Sequence, residues 1–184
     1  YGQKHARELG LAREQAVRAR AASHRVVPLP FFPELIAGGS ALTDAAIPVP
    51  ALAALTPAQR VQPPTYVPNR NLVLLALAAA AAEAAGVADL FYGAHAQDRY
   101  GYWDCTPAFV RRLNALLSLN RGQAVRVHAP FAAKTKADLV RLGVRLKVDF
   151  SRTWSCYRGG APACGVCPTC VERAAAFREA GVVD

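Results

Sequence analysis

"LVLLALAAAAAEAAGVADLFYGAHAQDRYGYWDC", Leu72 to Cys105, decides the fold class. Its first part, Leu72–Gly86, is built of strong helix formers with little polar surface, which predicts a largely buried helix stopped by Gly86. "VADLFYGA" then reads as a strand ending near Ala94, and His95–Cys105 as a polar, aromatic loop.

Elements of the same kinds lie on both sides. On the N-terminal side, Lys4–Ala22 predicts a helix and "RVVPLPF" (Arg25–Phe31) a short strand ending at its prolines. A loop-like stretch runs to Pro50, and Thr56-Pro57 forms an N-cap and first helical position. Pro63–Asn71 is extended, because each proline disfavours helix in the residue before it. On the C-terminal side, Thr106-Pro107 opens a helix whose apolar face is Phe109, Leu113, Leu116 and Leu117. "AVRVHAP" (Ala124–Pro130) alternates as a strand, and Thr135 caps a helix reaching Leu142 to Lys147. The last helix begins near Cys170 and stops at Gly181. The order α-β-loop-α-β-α-β-α predicts an α/β chain with parallel strands and helical crossovers. Ligands of such sheets bind beyond the C-terminal strand ends, here "HAQDRYGYWDC" and "FAAKTKADL". We expect an α/β body over residues 1–150 and a cysteine-rich segment over residues 151–184 packed on it.

The bulk numbers agree. With 184 residues, 53% of them hydrophobic and 19% charged, the chain can bury a core. Lys and Arg outnumber Asp and Glu by 22 to 13, which favours anionic partners, although the basic residues are scattered and form no run. The N-terminus is polar, and the longest apolar run, Leu72–Ala82, is shorter than the roughly 20 residues of a membrane span. The expectation is therefore a cytoplasmic protein, in which clustered thiols serve as metal ligands more readily than as disulfides. The chain begins at Tyr1 and has no Met, as a piece of a longer product would.

Four of the five cysteines fall in "SCYRGGAPACGVCPTC", residues 155–170, as Cys156-x7-Cys164-x2-Cys167-x2-Cys170. Two-residue gaps let thiolates converge on one ion, and Gly165 permits the tight turn of a metal knuckle. Pro168 suits a helix start, so Cys170 would sit in a first turn, where the helix dipole favours a thiolate. Four thiolates suit a structural, tetrahedral Zn²⁺, with Arg152, Arg158 and Arg173 near in sequence to offset its charge. Phe177, seven residues on, could anchor the segment to the core. Three alternatives stay open: an iron–sulfur cluster, whose bacterial motif places a fourth Cys downstream rather than upstream; a disulfide framework; and unrelated buried or reactive thiols.

Several stretches together resemble the 7-cyano-7-deazaguanine synthase (QueC) family of queuosine biosynthesis. They are "YGQKHARE", "GGSALTD", "TYVPNRN", "FYGAHAQDRYGYWDC", "VHAPF", "KADLVRLG", "VDFSRTWSCY" and "CGVCPTC", in family order along the whole chain. The resemblance implies an adenine nucleotide alpha hydrolase-like fold with Cys156, Cys164, Cys167 and Cys170 as structural zinc ligands. It also implies a ligase that uses ATP with Mg²⁺ and ammonia to turn 7-carboxy-7-deazaguanine into the nitrile, and a homodimer. In that light Arg70 is a candidate to hold a phosphate or carboxylate, and Asn71 to contact nucleotide or cap the helix. Asp98, Tyr100, Tyr102 and Asp104 could stack on and hydrogen-bond a purine-like base. Lys136, a cation in the first turn of a helix, suits a bound phosphate. Cys105 reads as a small buried residue, and His95 and His128 as hydrogen-bonded strand-end residues.

The chain also departs from the family. His95 stands where an Asn is expected. The family's first strand and Ser-Gly-Gly-x-Asp-Ser pyrophosphate loop do not occur in Tyr1–Asp184. The resemblance implies that they would precede Tyr1, and that these residues alone would be inactive or nearly so. Rival readings are a tRNA-thiolating or amidating ATP-pyrophosphatase relative using Cys105 or a knuckle cysteine as sulfur carrier, a non-catalytic paralogue, and a zinc-knuckle tRNA binder. The last is disfavoured, because only Trp154 and Tyr157 offer aromatic surface near the knuckle.

Overall fold

The computed structural model describes residues 1–98 and 101–184. The chain forms two compact units, residues 69–139 and residues 1–68 with 140–184.

In residues 69–139, helix α4 (Arg70–Ala84) leads to strand β1 (Asp89–Phe91), helix α5 (Pro107–Leu117) and strand β2 (Arg126–His128). The strands pair in parallel, Asp89 opposite Arg126 and Phe91 opposite His128. This is the parallel pairing the alternation predicts, with α5 in the connection between the strands. Thr106 caps α5 by accepting the Phe109 N–H at 3.1 Å. Leu75, Phe109, Val110, Leu113 and Val127 form the core, with Leu72, Leu90 and Tyr92 packed against it. One expectation fails. Of the apolar helix α4, only Asn71, Leu75 and Ala79 are buried, while Leu74 and Leu77 are exposed. Residues spaced by four make one stripe, and the core gathers on that stripe with Leu72 at its margin.

In residues 1–68 and 140–184, helix α1 (Arg7–Arg18) precedes two short helices, α2 (Phe32–Leu35) and α3 (Pro57–Val61). Helix α6 (Lys136–Arg145) enters this unit at Val140, and α7 (Pro168–Ala180) closes the chain. Helix α1 starts three residues later than expected: the Glu8 N–H goes to the His5 carbonyl at 3.1 Å and the Leu9 N–H to the Ala6 carbonyl at 3.0 Å, tighter turns than the α-helical ladder. The expected strand at Arg25–Phe31 does not form. Pro28 and Pro30 have no N–H to give a ladder, and the segment runs as irregular chain. Thr56 and Gln59 close a reciprocal capping box on α3. Helix α7 starts at Pro168, two residues before the position expected, with Cys167 as its N-cap. Phe177 anchors it as expected. It packs with Val140 and Ala176, its ring edge-on to Phe150 with centroids 4.9 Å apart.

Candidate functional site

The four clustered cysteines converge. Their sulfurs all lie within 4.8 Å of one another, with Cys164 and Cys170 4.0 Å apart, and all are free thiols. A single tetrahedral ion with metal–sulfur bonds of about 2.3 Å needs sulfur separations of about 3.8 Å. The four sulfurs are therefore placed to bind one metal ion. Local chain geometry produces this. Gly165 has φ +72°, a left-handed turn that lets Cys164 and Cys167 face the same point. The sulfurs accept backbone N–H groups, Cys164 N–H to Cys156 Sγ and Cys167 N–H to Cys164 Sγ, both at 3.4 Å. Burial opposes ionisation of Cys164, but the N–H groups of Cys167 and Val166 and the neighbouring thiols outweigh it and bring it to about 6. Burial holds the Cys170 thiol above its ordinary value.

The three arginines near the knuckle in sequence are each held by oxygen partners. Arg173 binds the Asp184 carboxylate, the Thr153 hydroxyl and the Phe150 carbonyl, and Arg158 donates twice to the Val49 carbonyl. Arg152 pairs with Glu14. These guanidinium groups bind the knuckle and its flanks to surrounding chain, where oxygen acceptors are strong and geometrically suited to their forks. The Leu52 N–H donates to the Val166 carbonyl at 2.9 Å, a further tie on the knuckle.

A second constellation lies at the start of α4. Asn69 has a left-handed φ of 52°, so the extended Pro-rich chain turns abruptly into the helix and presents Arg70 and Asn71. Arg70 Nε donates to Asn71 Oδ1 at 3.1 Å, and the Asn71 amide lies 3.4 Å from Cys105 Sγ. Tyr92 Oη is 3.2 Å from Cys105 Sγ and donates to the Asp104 carbonyl at 3.2 Å. Asp104, Cys105 and Asn71 are 1%, 6% and 7% exposed. Burial pushes the Cys105 thiol up to about 12. The Tyr92 hydrogen bond and Arg70 oppose that rise, and the charges of Asp98 and Asp104 add to it. Burial, with the bond to Cys105, also holds the Tyr92 phenol above its usual range.

The structure thus brings Arg70, Asn71 and Asp104 into one neighbourhood. Asp98 sits nearby in the loop, half-buried, its carboxylate accepting the His95 N–H and lying 3.3 Å from His95 Nε2. The Tyr102 N–H is held by the Asp98 carbonyl at 3.0 Å. Lys136 opens α6 half-buried, its N–H donating to Gln97 Oε1 at 2.8 Å, which ties the helix start to the same loop. Tyr100 lies outside the described residues. His128 is bonded to Asp89 at 2.6 Å. Sequence reasoning passed over Tyr92. The signal was present, because strand alternation places Tyr92 on the inward side with Leu90.

The family described as Queuosine biosynthesis protein QueC matches residues 1–181. The chain belongs to the QueC family. It is similar to the 7-cyano-7-deazaguanine synthase of Ralstonia nicotianae, 44% identical over 191 residues that take in 100% of this chain and 82% of the relative. The enzyme of the same name from an Anaeromyxobacter species is 46% identical across 100% of this chain and 80% of its own length. That from Caldicellulosiruptor saccharolyticus is 42% identical across 100% and 79%. The fold is accordingly the adenine nucleotide alpha hydrolase-like α/β fold of QueC, with a parallel strand pair, flanking helices and a C-terminal four-cysteine cluster. Among the described residues no helix is long and apolar enough to cross a membrane.

Proposed function

We propose that this QueC chain belongs to a cytoplasmic, homodimeric ligase that converts 7-carboxy-7-deazaguanine and ammonia to 7-cyano-7-deazaguanine, using ATP with Mg²⁺. The match to QueC over residues 1–181 carries this reading. A carboxylate resists ammonia because its leaving group would be oxide. Adenylation supplies a better one, ammonia displaces AMP to give the amide, and a second ATP drives its dehydration to the nitrile. Cations must then stabilise charge developing on phosphate.

Arg70 and Lys136 are the cations proposed for that task. A lysine at a helix start is favourable when an anion sits there. Asp98, half-buried, offers a carboxylate to the N–H edge of a purine-like base, with Tyr100 and Tyr102 in the same loop, and the buried Asp104 is assigned to the same site. Asn71 is assigned to the same site. Residues 151–184 hold the metal, and the remaining chain handles nucleotide.

Zinc is the proposed metal, one per chain and structural. Cys156, Cys164, Cys167 and Cys170 fill all four tetrahedral positions and leave none for substrate. In an iron–sulfur cluster the four thiolates are divided over two or four irons, which spreads the sulfurs more widely than the 4.8 Å within which they stand here. The ion would supply a rigid cross-link between the knuckle and the start of α7.

Two rivals lose ground on specific observations. A sulfur carrier needs a thiolate, and burial keeps Cys105 protonated. A tRNA-stacking role needs available rings. Arg7 lies 4.5 Å over Trp154, whose indole N–H donates to the Cys156 carbonyl, and Tyr157 packs against His5. The deciding experiment incubates the purified gene product with the carboxylic acid, ammonium, ATP and Mg²⁺ and follows AMP and nitrile by mass spectrometry. AMP and nitrile formed together support the reading. AMP-independent chemistry, or transfer of sulfur to tRNA, overturns it.

A further inference from the structure

Each hydrogen bond around Cys105 has one permitted direction. A guanidinium carries donors and no acceptor. Where Arg70 Nε meets Asn71 at 3.1 Å, the amide oxygen must face it. That orientation turns the amide NH₂ toward Cys105 Sγ, 3.4 Å away, and makes the sulfur an acceptor. The Asp104 main-chain carbonyl can only accept, so it takes the Tyr92 phenol proton. Tyr92 Oη then has only lone pairs to offer Cys105, and the S–H donates to it across 3.2 Å. The alternative acceptor for that S–H, Asp104 Oδ1, is farther, at 3.9 Å. The sulfur therefore donates and accepts at once. Burial keeps the thiol protonated, as the donation requires.

We infer that Cys105 is a positioning residue for Arg70: its thiol, held by Tyr92, fixes the Asn71 amide, and the amide fixes the guanidinium plane that faces the anionic substrate. A planar guanidinium with its Nε–H pinned has its two terminal nitrogens committed to one fork direction. With the amide free to rotate, its NH₂ would meet the guanidinium donor to donor, and Arg70 would leave that direction. The inference rests on the reading of Arg70 as the group that grips phosphate or carboxylate, and it adds what aims that group.

The test uses the full-length enzyme with its metal in place and compares Cys105→Ala, Cys105→Ser, Arg70→Ala and the double variant Cys105→Ala/Arg70→Ala. ATP with Mg²⁺ and 7-carboxy-7-deazaguanine are varied separately. Cys105→Ala is expected to raise KM for the substrate that Arg70 grips and to lower kcat/KM roughly tenfold, the scale of one lost hydrogen bond to a charged group. Cys105→Ser should recover most of that loss, because a hydroxyl also donates and accepts. In the Arg70→Ala background, Cys105→Ala should cost nothing further, since the two act in series. Protection of the Arg70 Nε–H from solvent exchange, read by NMR, should vanish in Cys105→Ala and persist in Cys105→Ser, whatever the activity. Additive losses in the double variant, or unchanged Nε–H protection in Cys105→Ala, overturn the positioning role and leave the Arg70 reading standing. Unchanged kcat/KM in Arg70→Ala overturns the Arg70 reading and the inference with it. If Cys105→Ala does not fold, Tyr92→Phe keeps the ring and removes the S–H acceptor, and is judged by the same two measurements.

Discussion

Cys105 and Tyr92 are acids whose charged forms the fold disfavours, and that has a pH signature. Burial raises the Cys105 thiol from its ordinary value to about 12 and holds the Tyr92 phenol above its usual range. Below about pH 8.5 both the folded and the unfolded chain keep these protons, and their contribution to stability is fully present. Above that, the unfolded chain loses protons that the folded chain retains, so stability falls as pH rises toward 12. The denaturant midpoint should therefore decline between about pH 8 and about pH 11, and decline less steeply in Cys105→Ser. An equal slope in the variant would show that the thiol does not titrate in this way. At this scale the sequence was partly legible. Arg70 and Asn71 stood out because "TYVPNRN" turns from extended chain into helix. Cys105 read as a small buried residue, which it is, but its hydrogen-bond role depends on Tyr92 and Asn71, neither adjacent to it in sequence.

At the scale of elements, Asn114 of α5 does for β2 what a neighbouring strand would do. Its Nδ2 donates to the Val127 carbonyl at 2.9 Å, and its Oδ1 accepts the Val127 N–H at 2.7 Å. Arg126 and His128 bond to the β1 side instead, through Ala88 and Tyr92. A side-chain amide thus pairs the outward-facing backbone groups of a central strand residue and closes that edge. Asn114→Ala should cost about 2 kcal/mol or more, because it leaves a buried donor and acceptor unpaired. Chemical denaturation would read this, and a change below about 0.5 kcal/mol would count against the clamp. The knuckle has a comparable contact. Gly159 sits at φ +74°, and a Cβ there would overlap the Lys4 carbonyl. Gly159→Ala should destabilise by roughly 1–3 kcal/mol while metal content stays at one ion per chain. A matching loss of metal would place the contact inside the metal site instead. Helix starts at Thr56, Thr106 and Thr135 were readable because caps are local chemistry. The Arg25–Phe31 strand misled because β propensity says nothing about whether a partner strand is available.

For the whole molecule, the metal is the main test. Thiolate ligands must lose protons to bind, so affinity falls as pH falls. We expect one zinc per chain by elemental analysis at neutral pH. A chelator, or acidification below about pH 5, should release it with a marked drop in thermal midpoint. A midpoint unchanged by full metal removal would show that the knuckle is held by Arg158, Arg173 and the Phe150–Phe177 contact alone. Cysteine spacing announced this centre, since two-residue gaps bring thiols to one point through local turns. The arginines near the knuckle in sequence are held by main-chain and side-chain oxygens, partners that their sequence positions did not reveal.

By itself the sequence determined what local physics controls: the helix formers and caps, the alternation that makes β1 and β2 parallel, and the four convergent sulfurs. Tertiary structure alone decided that one stripe of α4 is buried, that Tyr92 and Asn71 both reach Cys105, and that Asn114 pairs the edge of β2. Those contacts join residues far apart in the chain, and nothing within a local stretch records which distant partner will complete a hydrogen bond.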